Sequence, residues 1–153
     1  MGTQAKTIQI HEWMIFSSQG KMNFQEDLSV VDEKKGLFVV VDGFGGRAGA
    51  QFAADSCTSI KKFLTREARD EEATLPFLLR NYLSLAGNVL FNAMIFANRQ
   101  LMKQNKTKHV YQRGGASALA GYLDEDLLAV ANLGTVSILL VREGKRIELV
   151  RPR

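Results

Sequence analysis

The chain has 153 residues, 46% of them hydrophobic and 24% charged. That length and composition build one ordinary globular domain and exclude a disordered chain. Lys and Arg outnumber Asp and Glu, twenty to sixteen, giving a net charge of +4, an excess that attracts anionic partners, phosphorylated proteins as readily as nucleic acid. The basic residues are nevertheless scattered, in short pairs such as Lys34-Lys35 and Lys61-Lys62, which reads as a solvated surface and not as a nucleic-acid-binding tail.

In chain order, the start Met1-Gly2-Thr3-Gln4-Ala5-Lys6 lacks the apolar core of a signal peptide, and Lys6 stands where a myristoylation signal wants Ser or Thr. No apolar run approaches the ~20 residues that span a bilayer. The expectation is a soluble, cytoplasmic protein with no membrane and no nucleic-acid partner. Thr7 to Ser17 reads as a strand marked by Ile8, Ile10, Trp13 and Ile15, with Trp13-Met14 breaking the alternation as a bulge would. Gln19-Gly20-Lys21 is a turn. Leu28 to Val31 and Leu37 to Val41 are β-rich runs joined by Asp32-Glu33-Lys34-Lys35-Gly36, which predicts a hairpin with glycine at a position of positive φ. Because Leu37 to Val41 is apolar at every position, it reads as a strand buried on both faces.

The glycines Gly43, Gly45, Gly46 and Gly49 end that strand. Ala53, Cys57, Ile60 and Leu64 then recur at helical spacing, so Ala50 to Leu64 is expected to be a helix with one buried stripe. Cys57, the single cysteine, lies on the stripe and reads as a small core residue; alone it excludes an internal disulfide and a multi-cysteine metal site, and a lone thiol fits a reducing compartment. Thr65 to Glu72 is a polar connector. Thr74 and Pro76 signal a second helix start, with Leu78, Tyr82, Leu85, Val89, Ala93, Phe96 and Leu101 as its apolar stripe, running to about Gln104. Asn105 to Arg113 is loop-like, and His109 there has no ligand partner nearby in sequence.

Ala116 to Leu123, Leu127 to Asn132, Val136 to Val141 and Arg146 to Val150 are β-rich runs separated by Asp124-Glu125-Asp126, Leu133-Gly134-Thr135 and Glu143-Gly144-Lys145, the pattern of an antiparallel meander. Strands, two consecutive helices, then strands imply an α+β layered fold in a single domain.

The chemistry-bearing constellation is Glu26-Asp27 with Asp42-Gly43, each acidic pair at the end of a β-rich run. Ionised carboxylates placed together repel and call for a cation. Hard oxygen ligands select Mg²⁺ or Mn²⁺ over zinc. Glycine after Asp42 leaves a backbone carbonyl open to the same ion, and Gly45-Gly46 lets the chain turn away. Taken alone, Asp42-Gly43 is also an ordinary turn after a strand. A dinucleotide-binding loop fails, because the spacing is Gly-x-Gly-x-x-Ala, Asp42 would face a pyrophosphate with like charge, and no βαβ unit follows.

Ser17 through Asp27 resembles the opening of metal-dependent Ser/Thr phosphatases of the 2C type, and Leu37 to Gly46 resembles their Asp-Gly-x-Gly-Gly signature. Gly114-Gly115-Ala116-Ser117-Ala118 looks like their Gly-Thr-Thr-Ala strand, Leu127 to Gly134 like their Leu-x-Val-Ala-Asn-x-Gly segment, and Gly144 to Arg151 like the strand that follows. The resemblance implies an antiparallel β-sandwich flanked by helices in four αββα layers. It also implies two Mn²⁺ or Mg²⁺ ions bridged by Asp42, with the Gly43 carbonyl as a further ligand and Glu26 and Asp27 ordering metal-bound water. The implied reaction is hydrolysis of phosphoserine and phosphothreonine in a signalling protein substrate by a metal-activated water, with Asp42 and Asp27 as the catalytic pair.

The sequence departs from the family pattern at three places. The arginine expected for the substrate phosphate is Met22, with Lys21 beside it as a point charge. The family's Gly-Asp-Ser-Arg is Gly134-Thr135-Val136-Ser137. The family continues through a second half beyond the position of Arg153, so a C-terminal half or a second chain is expected to complete the fold. The competing expectation is a degenerate, noncatalytic phosphatase fold used as a binding or regulatory module.

Overall fold

In a computed structural model, residues 8–67 and 79–150 are described. The first helical signal, Thr74 and Pro76 with Leu78, falls outside them. β1 (Asp27–Asp32) turns through a short 3₁₀ segment at Glu33–Lys35 into β2 (Leu37–Phe44). Gly36, in the left-handed region at φ 62°, closes the turn as expected of this hairpin. Two helices follow, α1 (Arg47–Glu67) and α2 (Leu85–Lys106), then β3 (Gly115–Asp124), β4 (Leu127–Leu133), β5 (Ile138–Arg142) and β6 (Lys145–Val150).

The strands β1-β2-β3-β4 form one antiparallel sheet in that order, and β5-β6 a separate hairpin. The fold is α+β with antiparallel sheets, as the element order implied. The meander breaks between β4 and β5: the last two strands leave the sheet. No helix among the described residues is long and apolar enough to cross a membrane.

α1 begins where Gly45 and Gly46, at φ 117° and 65°, reverse the chain. Its buried positions Phe52, Ala53, Cys57, Ile60, Phe63 and Leu64 repeat at three- and four-residue steps and contain the predicted stripe. The helix runs one turn further at its start and continues to Glu67, through the start of the expected connector. α2 begins only at Leu85, because the Ser84 hydroxyl accepts the Gly87 N–H at 3.0 Å as an N-cap. Tyr82, expected on the buried stripe, precedes the helix and is exposed. Asn88 ties that approach down: its side chain accepts from Arg80 N–H at 2.7 Å and donates to the carbonyls of Arg80, Leu83 and Ser84.

Both helices cover one face of the sheet. Leu37, Val39 and Val41 of β2 meet them with Ala118 and Ala120 of β3, small side chains that let the helices approach closely. The opposite face is less covered: Val40 is 38% exposed between two fully buried neighbours. The all-apolar run of β2 is therefore buried on one face, contrary to the two-sided expectation, since only one helical layer lies among the described residues.

The expected strand over 7–17 is not formed; Thr7 lies outside the described residues, and 8–19 have no regular structure. A strand requires a partner ladder, and this segment finds none among the described residues. It crosses the outer face instead, where Ile10, Trp13, Ile15 and Phe16 line a cleft with Val31, Phe38 and Val40. Its start is pinned by Ile8 N–H to the Glu125 carbonyl at 2.7 Å and its middle by Trp13 Nε1 to the Glu33 carboxylate at 3.2 Å.

Candidate metal centre

The β1–β2 register places Asp27 opposite Asp42, and the β2–β3 register places Asp42 opposite Ser117. Side chains alternate along a strand, and the neighbouring Val41 and Ala118 are buried against the helices. Asp27, Asp42 and Ser117 therefore form one row on the sheet face away from the helices. Asp27 and Asp42 line a cleft of about 500 Å³ with Ser17, Ser18, Ser29, Phe16 and Val136.

Partial burial, then the charge of Asp42, a side-chain hydrogen bond with Asp42 and the charge of Glu26 hold the Asp27 carboxyl above its ordinary range. The burial is slight, since Asp27 remains exposed to solvent. The durable cause is the facing carboxylate, and like charges directly opposite in a ladder are destabilising. A hard cation would relieve that repulsion, and the carboxylates of Asp27 and Asp42 with the serine hydroxyls suit one, in a cleft whose remaining lining, Phe16, Leu28, Val40, Val41 and Val136, is apolar. The fit is partial: among the described residues no group of three or more His, Cys, Asp and Glu side chains is arranged to hold a metal.

Glu26 faces elsewhere. Its carbonyl accepts the Gly43 N–H and its Oε2 the Gly46 N–H, both at 3.0 Å. The carboxylate thereby satisfies a donor at the start of α1, where the helix dipole favours a negative group. The packing tolerates no side chain nearby: a Cβ on Gly43 would stand 2.3 Å from the Gly49 carbonyl oxygen, and one on Gly49 2.0 Å from Glu26 Oε2. Of the four expected metal-site residues, the structure brings Asp27 and Asp42 together with Gly43 adjacent, and engages the Glu26 side chain in the turn.

Lys21 lies in the exposed turn after Gly20 and does not line the cleft. Thr135 does reach the row: its Oγ1 is 3.0 Å from Ser117 Oγ, and its N–H donates to the same oxygen at 3.2 Å. Buried on the same face is Asn132 Oδ1, without a hydrogen-bond partner. Ser117 was not singled out from sequence. The signal that could have found it is the β2–β3 register, which sequence periodicity alone does not supply.

The Protein phosphatase 2C family profile matches residues 6–151. No curated protein sequence matches this chain. Among solved structures, a bacterial serine phosphatase bearing a point mutation superposes with a TM-score of 0.70 at 18% identity, covering 99% of this chain and 63% of that one. PppA, a regulatory component of the type VI secretion system in Pseudomonas aeruginosa, gives 0.68 at 19% identity over 90% of this chain and 54% of its own. The catalytic domain of the serine/threonine phosphatase PstP, solved in complex with two manganese ions, gives 0.64 at 16% identity over 83% and 49%; PstP is from Mycobacterium tuberculosis. At these identities the likeness is one of fold. The chain spans about half to three fifths of the length of the structures it matches.

Proposed function

We propose that this chain, which belongs to the protein phosphatase 2C family, supplies the metal-binding half of a phosphoserine/phosphothreonine protein phosphatase. The observation that carries the reading is the row Asp27–Asp42, two carboxylates facing each other across a ladder in a cleft that also holds Ser17, Ser18 and Ser29. Asp42 and Asp27 hold the cation side of the site, and the Gly43 carbonyl lies next in the chain. Mn²⁺ or Mg²⁺, as a pair, supplies a water of lowered pKa and positive charge for the phosphoryl oxygens. Asp27, opposite Asp42 in the ladder and on the cleft, is placed to accept a hydrogen bond from a water there. Glu26 keeps the Gly43–Gly46 turn in register, and Lys21, in the exposed turn outside the cleft lining, offers the substrate phosphate a point charge in place of a fork of donors.

The partners in this reading are a phosphorylated protein and a C-terminal half or second chain that completes the fold. Exposed apolar side chains support the latter: Leu139, Val141 and Ile147 on the β5-β6 hairpin and Phe16 beside the cleft are 58%, 64%, 47% and 89% exposed, a surface that a missing layer would cover. A cytoplasmic signalling role belongs to the same proposal, consistent with the buried, reduced Cys57.

Mn²⁺-dependent hydrolysis of a phosphothreonine peptide, by the chain alone and with a supplied C-terminal half, tests the reading. Activity that disappears in Asp42→Ala supports it; no activity in either format overturns it. A second reading, a noncatalytic binding module of the same fold, is favoured by one observation: the Thr135 hydroxyl is occupied by Ser117 at the position where the family carries an aspartate. That module would bind the phosphopeptide with no turnover.

A further inference from the structure

From Ala73 to Leu123 the sequence contains no Asp or Glu, while six of the twenty Lys and Arg lie there. The rest of the chain, with fourteen cations against sixteen acids, is net negative. The positive charge of this protein thus belongs to one segment: α2 and the loop that leads into β3.

Four of these cations gather at the end of that segment. Lys103 and Lys106 lie on adjacent turns of α2 and are exposed. Lys108 stands over the Phe52 ring at 4.3 Å, and Arg113 Nε donates to the Lys108 carbonyl at 3.2 Å. Among the described residues none of the four has an acidic partner. Tyr111, 90% exposed, stacks beside His109 in the same loop. The negative end of the α2 dipole accounts for Lys103 and Lys106, but not for Lys108 and Arg113 beyond the helix, nor for the missing acids.

The loop end of this strip is fixed to the turn that follows Asp42, while α2 itself packs on the opposite face of the sheet. Asn105 clips the loop in both directions, Nδ2 to the Gly114 carbonyl at 2.8 Å and Oδ1 from the Gly114 N–H at 3.3 Å. Gly114 packs against the turn that follows Asp42, where a Cβ on Gly45 would stand 3.0 Å from Gly114 Cα. Gly115 pairs with Phe44, and Ser117 with Asp42. Arg113 is four positions before Ser117, roughly 13 Å along an extended chain. An extended peptide covers that distance in about four residues.

We propose that Lys103, Lys106, Lys108 and Arg113, with Tyr111 among them, dock acidic residues that flank the phosphoresidue of a peptide substrate bound at the Asp27–Asp42 cleft. The proposal rests on the phosphatase reading for what occupies the cleft. Charge complementarity selects an acidic peptide, and exposed Tyr111 and Val110 offer apolar contact to its side chains.

Fluorescence anisotropy on the full chain tests it. The probes are a short phosphothreonine peptide followed by a run of glutamates, the same peptide with alanines, and the glutamate peptide without phosphate. Glutamates are expected to tighten binding roughly tenfold at low salt. The gain should vanish in Lys103→Glu with Lys106→Glu, fall in the paired Lys→Gln variant and persist in the paired Lys→Arg variant. The unphosphorylated glutamate peptide should show the same dependence without Mn²⁺. That arm separates this proposal from the metal reading, which Asp42→Ala tests on its own. Equal binding of glutamate and alanine peptides, or undiminished binding by the charge-reversed variant, overturns the docking surface. Displacement of the peptide by single-stranded DNA at lower concentration than by the glutamate peptide also overturns it, assigning the strip to nucleic acid.

Discussion

Asp27 and Asp42 stand directly opposite each other in the β1–β2 ladder, two carboxylates on the sheet face that the helices leave open. Without a cation this pair opposes folding. Asp27 is protonated more readily in the folded chain than its ordinary value of 3.8, so its contribution is intact below that value and is lost as pH rises through the higher folded value. Asp27→Asn should therefore stabilise the metal-free chain at neutral pH by about 0.2–1 kcal/mol and leave it unchanged at acid pH. Added Mn²⁺ should raise the urea midpoint of the wild type and not that of the variant. A wild type insensitive to Mn²⁺ would remove the cation from this account.

The Glu26 carboxylate acts at the other end of the same turn. Glu26→Gln keeps an acceptor for the Gly46 N–H and should be nearly neutral, whereas Glu26→Ala should cost about 1 kcal/mol, the usual loss of a helix-start acceptor. Gly43→Ala should be worse, about 1–3 kcal/mol or more, because its Cβ would meet the backbone of Gly49 and of Glu26 itself. Urea denaturation of the three variants ranks them; equal losses would show that the turn is not held this way.

Cys57 is buried under β1, and burial pushes its thiol up to about 12. At pH 8 roughly one thiol in ten thousand is then ionised, so iodoacetamide should leave the folded chain unlabelled and label it fully in urea. The raised value also means that stability is intact below the ordinary value of 9.0 and declines as pH rises toward about 12. Cys57→Ala should decline less over that range, measured as the difference in urea midpoint.

Local patterns were the legible part of this fold. The stripe Ala53, Cys57, Ile60 and Leu64 is buried as its spacing implied, and the glycine in the β1–β2 turn has the positive φ its position demanded. What periodicity could not supply was partnership. Residues 8–17 carry strand-like side chains but find no ladder among the described residues, and the apolar run of β2 does not say which face a second layer covers. Thr74 and Pro76 lie outside the described residues, and within them the hydroxyl that caps α2 belongs to Ser84. At the site, the acidic residues were visible from their order in the chain. Ser117 was not, because its place beside Asp42 depends on a pairing between strands separated by two helices.

Thr135 offers the sharpest test of how far the row extends. Its hydroxyl and N–H both engage Ser117 Oγ, and Ser117 lies across the ladder from Asp42. Thr135→Asp would add a third carboxylate to two that already repel. Without metal it should cost about 1 kcal/mol, from a lost hydrogen bond and added like charge. With metal the sign should reverse: a further oxygen ligand should tighten Mn²⁺ binding roughly tenfold. Thr135→Asn, similar in shape but uncharged, should lose the hydrogen bond without gaining affinity. Titration calorimetry with MnCl₂ beside urea midpoints reads both effects. Unchanged Mn²⁺ affinity in Thr135→Asp would confine the cation to the Asp27–Asp42 pair and favour the noncatalytic module.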